Sequence, residues 1–197
     1  MTTMLLVRHG QSEWNALGRW QGQADPSLSD LGRQQSLSAA GRLGSVDVIV
    51  SSDLQRAAET ASIISAQIGV GPVILEPGLR ERDCGAWSGL TDDQIEAGWP
   101  GYRATKQRPE GWEADSDLLI RACAALDRIA AEYDGADVLV LTHGGVVYTL
   151  EALHGIPFER LPNLGGRHLV HGGTRLTLGD RVLLVDDEDI TNVPAQI

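Results

Sequence analysis

Short apolar runs and longer stretches of helical spacing alternate along the chain. The runs 4–7, 46–50 and 138–141 are rich in leucine, isoleucine and valine, which is typical of strands buried on both faces. Between Asp115 and Glu132, apolar residues recur at the three- and four-residue spacing of an amphipathic helix. This alternation predicts an α/β fold, a three-layer α/β/α sandwich around a mostly parallel mixed sheet.

Capping residues and glycines predict where further helices begin and end. Ser29 is placed to cap a helix over 30–43 that stops at Gly44, and Ser52 with Gln55 forms a capping box for a helix that stops at Gly69. The other predicted elements are a strand at 73–75, a short helix at 92–97, a helix at 146–153, and strands at 174–178 and 181–185 in a hairpin around Gly179-Asp180.

Residues 98–112 form the longest stretch without clear periodicity. We interpret them as a lid or substrate-shaping insertion within a single domain that spans 1–197, with a plain surface loop as the alternative. The acidic run 186–189 is interpreted as a solvated surface segment.

The composition narrows the choice of partners. The chain has 197 residues and a net charge of −11, which argues against nucleic acid or an anionic membrane as a partner. An anionic substrate therefore needs a local cluster of arginines. No apolar run reaches membrane-span length and the start does not have the pattern of a signal peptide, so we expect a cytoplasmic protein. Cys84 and Cys123 lack metal-site spacing and are interpreted as small apolar fillers.

Two of the predicted strands end in the same way. One runs into Arg8-His9-Gly10 and the other into Thr142-His143-Gly144. Because the carboxyl ends of parallel strands meet at one edge of a sheet, both imidazoles are expected at the same rim. A lone histidine is more often structural, but two at equivalent strand ends, one beside an arginine, indicate a site.

Arg56 falls in the first turn of a predicted helix, where a cation opposes the helix macrodipole. A bound anion attracted by both the helix N-terminus and the guanidinium would account for its place. The alternatives are a solvated arginine or an ion pair with Asp53 or Glu59.

These residue types suit phosphoryl transfer, which depends on positioning and preorganised positive charge. Arg8 and Arg56 can hold phosphoryl oxygens, and His143 can add a donor. A neutral imidazole, here His9, is a competent nucleophile when its second nitrogen is fixed by a hydrogen bond. Departure of an alkoxide needs a proton, for which Glu81 is the preferred donor and Glu13 the reserve.

The order of these motifs resembles the histidine phosphatase superfamily, which has the phosphoglycerate mutase-like fold. The resemblance covers Leu5 to about Leu153 and rests on five ordered motifs: Arg8-His9-Gly10 through Asn15, Gln21-Gly22 with Leu28 to Gly32, Ser51 to Ala61, Leu79 to Glu81, and Thr142 to Gly145.

The resemblance implies His9 as the phosphorylated nucleophile and Glu81 as the proton donor. It also implies a group of residues that holds the phosphate or the substrate, namely Arg8, Asn15, Gln21, Gly22, Arg56, His143 and Gly144. No metal or organic cofactor is expected. His168 and His171 could be interpreted as metal ligands, but no third ligand lies nearby in the sequence, so solvent-exposed or substrate-facing histidines are the favoured interpretation.

The chain departs from the family pattern in two places. It has Gly111-Trp112-Glu113-Ala114 where many relatives have Gly-Glu-Ser, and it has Arg167, His168 and His171 near the C-terminal strands, where relatives often have an asparagine and small residues. Because of the first departure, the sequence does not predict which residues contact the substrate on the side of the lid.

The resemblance favours a phosphatase that acts on small-molecule phosphomonoesters. A 2,3-bisphosphoglycerate-dependent phosphoglycerate mutase is the alternative, but mutases are generally longer. A non-catalytic phosphate-binding module is the second alternative. The segments 19–23, 89–95 and 162–166 look most like the bacterial phosphatases of glucosyl-3-phosphoglycerate. The oligomeric state is left open, with a homodimer as one alternative.

Overall fold

Six strands form one mixed sheet within residues 1–173 and 175–186, which the computed structural model describes. They are β1 (Thr2–Arg8), β2 (Val48–Ser51), β3 (Ile74–Leu75), β4 (Asp137–Thr142), β5 (Gly165–Gly172) and β6 (Arg175–Leu183). The order is β3-β2-β4-β1-β5-β6; the first four strands are parallel, and β5 and β6 add two antiparallel pairings. The predicted mostly parallel mixed sheet is confirmed.

Helices cover both faces of this sheet. They are α1 (Glu13–Ala16), α2 (Asp30–Ala40), α3 (Gln55–Ile68), α4 (Asp92–Gly98), α5 (Asp115–Glu132) and α6 (Gly144–Leu153), with short 3₁₀ turns at Pro77–Leu79 and Gly85–Trp87. Apolar side chains of α5 and α6 pack on one face, and those of α2 and α3 on the other. The three-layer sandwich predicted from the alternation of elements is confirmed.

The central strands place the site. In β1, Met4 and Leu6 pack beneath α5 and α6, whereas Val7 packs beneath α2 and α3, so the strand is apolar on both sides. Polar side chains with a functional role are therefore confined to its end. Arg8 is in register with Thr142 of β4, and the next amide, that of His9, donates to the Thr142 carbonyl at 3.0 Å. The residues that follow the two strands meet at one rim.

The predicted hairpin around Gly179-Asp180 is wrong. β6 runs unbroken from Arg175–Leu183 and pairs with β5, a strand that the pattern did not predict. Gly179 lies where the pairing of β5 and β6 shifts register between Arg167 and Leu169, and a Cβ there would lie 3.1 Å from the Cβ of His168 on the neighbouring strand. Thr174 and residues 187–189 of the acidic run lie outside the described residues.

The predicted helix starts have different outcomes. Ser29 caps α2 as predicted, accepting a hydrogen bond from the Gly32 amide, although the helix ends at Ala40 rather than at 43. The capping box of Ser52 with Gln55 is wrong, because α3 has no side-chain cap of its own. Its first amide, that of Gln55, donates instead to Oδ1 of Asp25 at 2.6 Å. The Ser52 hydroxyl accepts from the Leu54 amide at 3.3 Å and lies 2.9 Å from a ring nitrogen of His143.

Tryptophans form a small third apolar cluster beside the rim. Trp20 and Trp87 are buried and pack edge-to-face at 5.5 Å between ring centroids, and Trp112 joins them. Trp99 and Tyr102, from the segment without periodicity, pack on the same cluster. Part of the segment 98–112 therefore packs beside the pocket, whose lining includes Trp20 and Trp112. Among residues 1–173 and 175–186, no helix has both the length and the apolarity to cross a membrane.

Candidate active site

A pocket opens where β1 and β4 end. It is lined by Arg8, His9, Trp20, Gln21, Gly22, Arg56, Glu81, Arg82, Cys84, Trp112, Gly144, Gly145 and Tyr148. Predicted site residues from positions as far apart in the chain as 8 and 144 therefore line one pocket. His143 lies buried behind His9, with ring centroids 5.1 Å apart in an edge-to-face arrangement. Asn15 and Glu13 are not among the residues that line the pocket.

The His9 imidazole is held in one tautomer. Its Nδ1 lies 2.6 Å from the Gly10 carbonyl oxygen, which can only accept, so Nδ1 carries the proton. Its Nε2 accepts from Nε of Arg56 at 3.2 Å and therefore presents a lone pair. Burial, followed by the neighbouring Arg56 and Arg8 cations, lowers the pKa of His9 well below its usual value. The ring is a neutral imidazole with its basic nitrogen beside a guanidinium.

Arg56 reaches the pocket from the first turn of α3 and is completely buried. Its Nη1 and Nη2 donate to the carbonyls of Ala24 and Gly22 at 2.8 and 2.9 Å. The alternatives of a solvated arginine and of an ion pair with Asp53 or Glu59 are wrong, because those carboxylates pair with Arg80 and Arg33 instead. Burial lowers the Arg56 pKa to about 10, so the guanidinium stays charged at neutral pH.

Arg8 supplies a second buried cation. Nη1 donates to the Leu161 carbonyl at 2.6 Å, and the Arg8 carbonyl accepts from the Leu164 amide, which fixes the loop before β5 against the rim. Burial lowers the Arg8 pKa. Within the described part of the chain, no carboxylate forms an ion pair with Arg8 or Arg56. Two buried guanidiniums that hydrogen-bond to backbone carbonyls and to an imidazole, with no carboxylate paired directly to either, favour an anion at this site.

Glu81 lines the same pocket as His9. Its carboxylate accepts from the Arg82 amide at 2.7 Å and from the Gly145 amide, at the N-terminus of α6, at 3.2 Å. A Cβ on Gly145 would lie 2.1 Å from Oε1 of Glu81, so glycine is required for this contact. Glu13, the reserve proton donor, is exposed on α1. The structure therefore brings Glu81, not Glu13, into the pocket.

The loop that carries Glu81 is held by an arginine of α5. Nη2 of Arg121 donates to the Glu81 carbonyl at 2.9 Å, and Nη1 donates to the carbonyls of Gly78 and Arg80. The same guanidinium is fixed by the Glu113 carboxylate at 2.6 and 2.8 Å. Glu113 belongs to the segment where the chain departs from the Gly-Glu-Ser pattern. Sequence reasoning missed Arg121, because its spacing on α5 carries no signal of what it contacts.

Asn15 and Gln21 have different roles in the structure. Asn15 is buried and its Oδ1 accepts from the Ser12 amide, which closes the first turn of α1. Gln21 lines the pocket, and its Oε1 accepts from the Ser12 hydroxyl at 2.7 Å. Asn163, which sequence reasoning missed, donates to the His9 carbonyl at 2.9 Å. It orients the peptide that carries the nucleophile candidate.

The C-terminal histidines do not form a metal site. His168 and His171 are three residues apart on β5, so they point to opposite faces of the strand. His168 is exposed, as one interpretation predicted, whereas His171 is buried with Nε2 2.7 Å from Asp127 of α5. Residues 1–173 and 175–186 contain no group of three or more metal-ligating side chains. Both cysteines are free, and burial raises the pKa of Cys84 to about 12.

The two buried imidazoles predict a pH-dependent stability. Because the folded pKa values of His9 and His143 lie well below 6.5, both rings stay neutral where the unfolded chain takes up protons. The contribution of the two rings to the stability of the fold is complete above pH 6.5. It is lost as the pH falls towards the pKa values that the rings have in the folded protein. With two such groups, the free energy of unfolding should fall by at most about 2.7 kcal/mol for each pH unit that the solution is acidified. Urea unfolding between pH 7 and 5.5 checks this, and a free energy of unfolding that stays flat contradicts it. The His9→Gln variant should show about half the slope.

Two neutral imidazoles, two buried guanidiniums and a rim carboxylate gather beside the carboxyl ends of β1 and β4, an arrangement that suits phosphoryl transfer on an α/β sandwich. A family model described as the histidine phosphatase superfamily, branch 1, matches residues 4–178. The chain belongs to this superfamily. The resemblance stated from the sequence motifs is confirmed.

Named relatives agree with this membership. The chain is 37% identical over 178 residues to a glucosyl-3-phosphoglycerate phosphatase of Mycolicibacterium vanbaalenii, which covers 83% of this chain and 79% of the relative. It is 36% identical over 157 residues to a metal-independent phosphoserine phosphatase of Arabidopsis thaliana, covering 75% and 66% of the two chains. A mycobacterial glucosyl-3-phosphoglycerate phosphatase complexed with VO3 superposes with a TM-score of 0.81 at 33% identity, over 90% of this chain and 96% of that one.

Proposed function

We propose that this protein hydrolyses phosphomonoesters of small metabolites through a phosphohistidine formed at Nε2 of His9. The observation that carries the proposal is the fixed tautomer of His9, whose lone pair on Nε2 lies beside the Arg56 guanidinium at 3.2 Å. A neutral, preoriented nitrogen next to a buried cation is what nucleophilic attack on a phosphoryl group requires.

In the first step, the incoming phosphoryl group displaces the Nε–H of Arg56 from Nε2 of His9. The freed lone pair of Nε2 attacks phosphorus as the ester P–O bond breaks. Arg8 and Arg56 stabilise the negative charge on the equatorial oxygens, which is the largest electrostatic demand of this transition state. The departing alcohol oxygen takes a proton from Glu81, whose carboxyl group is held at the rim by the Gly145 amide.

In the second step, a water molecule attacks phosphorus and the N–P bond breaks. Glu81, now a carboxylate, accepts the proton of the water as inorganic phosphate forms, and His9 returns to its neutral state. The two arginines supply the positive charge in both steps. We therefore propose that turnover is metal-independent, as the name of the Arabidopsis phosphoserine phosphatase says of that enzyme.

The alcohol part of the substrate is proposed to lie in a groove that continues from the pocket. Arg82, Trp112 and Tyr148 line both, and the groove adds Arg108 and Phe158. The guanidinium carbon of Arg108 lies 4.5 Å from the centre of the Trp112 ring. Aromatic faces and arginines suit a sugar phosphate or phosphoglycerate, and the glucosyl-3-phosphoglycerate phosphatases among the relatives support that class. Residues 98–112 would then shape the substrate groove.

Phosphate release with excess EDTA tests the proposal. The purified protein is expected to hydrolyse 4-nitrophenyl phosphate, and to prefer one member of a panel of glucosyl-3-phosphoglycerate, phosphoserine, 3-phosphoglycerate and sugar phosphates. Absence of release from every substrate would favour the non-catalytic module. Incubation with 3-phosphoglycerate and 2,3-bisphosphoglycerate is the second arm, in which 2-phosphoglycerate forming faster than phosphate would establish the mutase alternative.

A further inference from the structure

His143 has one ring nitrogen with a partner and one without. Its Nε2 lies 2.9 Å from the Ser52 hydroxyl oxygen, and its Nδ1 is buried without a hydrogen-bond partner in the part of the chain that the structure describes. Both residues are completely buried. Ser52 is fixed at the end of β2 because its amide donates to the Leu141 carbonyl of β4 at 2.8 Å. The contact thus joins the ends of two neighbouring strands.

Counting protons decides the direction of this hydrogen bond. The other partner of the Ser52 hydroxyl is the Leu54 amide at 3.3 Å, which can only donate. The hydroxyl has one proton of its own, and Nε2 of His143 is the acceptor within reach. Were Nε2 protonated, Ser52 would be left with a buried proton and no acceptor among these contacts. The balanced network therefore leaves the ring proton on Nδ1.

A doubly protonated ring is disfavoured independently. Burial, followed by the charge of Arg56, lowers the pKa of His143 well below its usual value. The ring is neutral, and a neutral imidazole has one donor and one acceptor nitrogen. With Nε2 accepting from Ser52, Nδ1–H is the donor.

We propose that Ser52 is a positioning residue that holds His143 in the Nδ1–H tautomer, so that His143 donates a hydrogen bond to a phosphoryl group seated at His9. The use of that bond rests on the proposed function. His9 and His143 then share a tautomer but use opposite nitrogens, since His9 presents its bare Nε2 and His143 presents its protonated Nδ1. Ser52 does for His143 what the Gly10 carbonyl does for His9.

Nuclear magnetic resonance of the imidazole nitrogens tests the assignment. In the wild-type protein, long-range ¹H–¹⁵N correlations should show a protonated Nδ1 and a bare Nε2 for His143, with the signals assigned through a His143→Gln variant. An unprotonated Nδ1 in the wild-type spectrum would overturn the inference by itself. The test therefore does not depend on whether a Ser52 variant folds.

Three serine variants extend the test. Ser52→Ala should move the His143 proton wholly or partly to Nε2, weaken binding of inorganic phosphate about tenfold, and lower kcat by about 10- to 100-fold, since a single lost oxyanion donor costs about 100- to 1,000-fold. Ser52→Thr keeps the hydroxyl and should restore the tautomer. Ser51→Ala is the matched control, because Ser51 is equally buried but its hydroxyl donates to the Ser52 carbonyl rather than to His143.

The two proposals fail separately. An unchanged tautomer and unchanged phosphate affinity in Ser52→Ala would overturn the role of Ser52 even in an active phosphatase. A wild-type protein that releases no phosphate from any substrate would overturn the proposed function, while the wild-type tautomer would still decide the assignment made for Ser52.

Discussion

Replacing His9 by alanine is expected to abolish turnover, lowering kcat by about 10⁴-fold or more, because loss of a catalytic nucleophile typically costs this much. Among the described residues that line the pocket, His9 alone presents a basic nitrogen to Arg56. A phosphoenzyme trapped by alkaline quenching, which preserves acid-labile phosphohistidine, should be seen in the wild-type protein and be absent from the variant. The melting temperature should change little, since the imidazole packs at the rim rather than within the apolar layers.

His168→Ala is the matched control for this experiment. His168 is an exposed histidine on β5 that does not line the pocket, so its loss should leave kcat and the phosphoenzyme unchanged. A phosphoenzyme that persists in His9→Ala would show that another residue is the nucleophile.

Glu81→Gln is expected to discriminate between leaving groups. The amide cannot release a proton to an alkoxide, so kcat for an alkyl phosphate should fall by about 10²- to 10⁴-fold. The loss for 4-nitrophenyl phosphate should be much smaller, because nitrophenolate departs without protonation. Parallel steady-state measurements on the two ester types check the ratio. Equal losses on both would count against Glu81 as the proton donor.

A second variant reaches the same carboxylate without altering it. A Cβ introduced by Gly145→Ala would lie 2.1 Å from Oε1 of Glu81, so the carboxylate must leave its contact with the Gly145 amide. The same preference for aryl over alkyl esters should appear. Gly98→Ala is the control, since a Cβ at Gly98 meets nothing within 4 Å.

The parts of the molecule that follow local rules could be predicted from the sequence. The apolar runs gave the parallel strands, and the repeated strand ending gave the convergence of His9 and His143, because parallel strands in register bring their last residues together. β5 could not be predicted, because its glycines and polar residues hide the strand pattern. Gly166 is there because a Cβ would lie 2.7 Å from the Leu6 carbonyl of β1, a contact that only the assembled sheet reveals.

Side chains whose partners are distant in the chain were the ones that sequence reasoning missed or misjudged. Ser52 satisfies the pattern of a helix cap, yet its hydroxyl is bonded to a histidine 91 positions later. Asn163 and Arg121 bind backbone carbonyls of the two segments that carry His9 and Glu81, and carbonyl acceptors leave no trace in a sequence pattern. Tertiary contacts overrode local propensity at each of these positions.

The pocket and the groove that adjoins it are built from different kinds of structure. Arg8 and His9 stand at the end of β1, which is buried between two helical layers, whereas Trp112 and Arg108 belong to the irregular segment 98–112. If that segment were exchanged for one of another composition, the specificity for the alcohol part of the substrate should change. The residues that bind the phosphoryl group would stay in place. This division offers a route to engineered phosphatases in which substrate choice and reaction chemistry are adjusted one at a time.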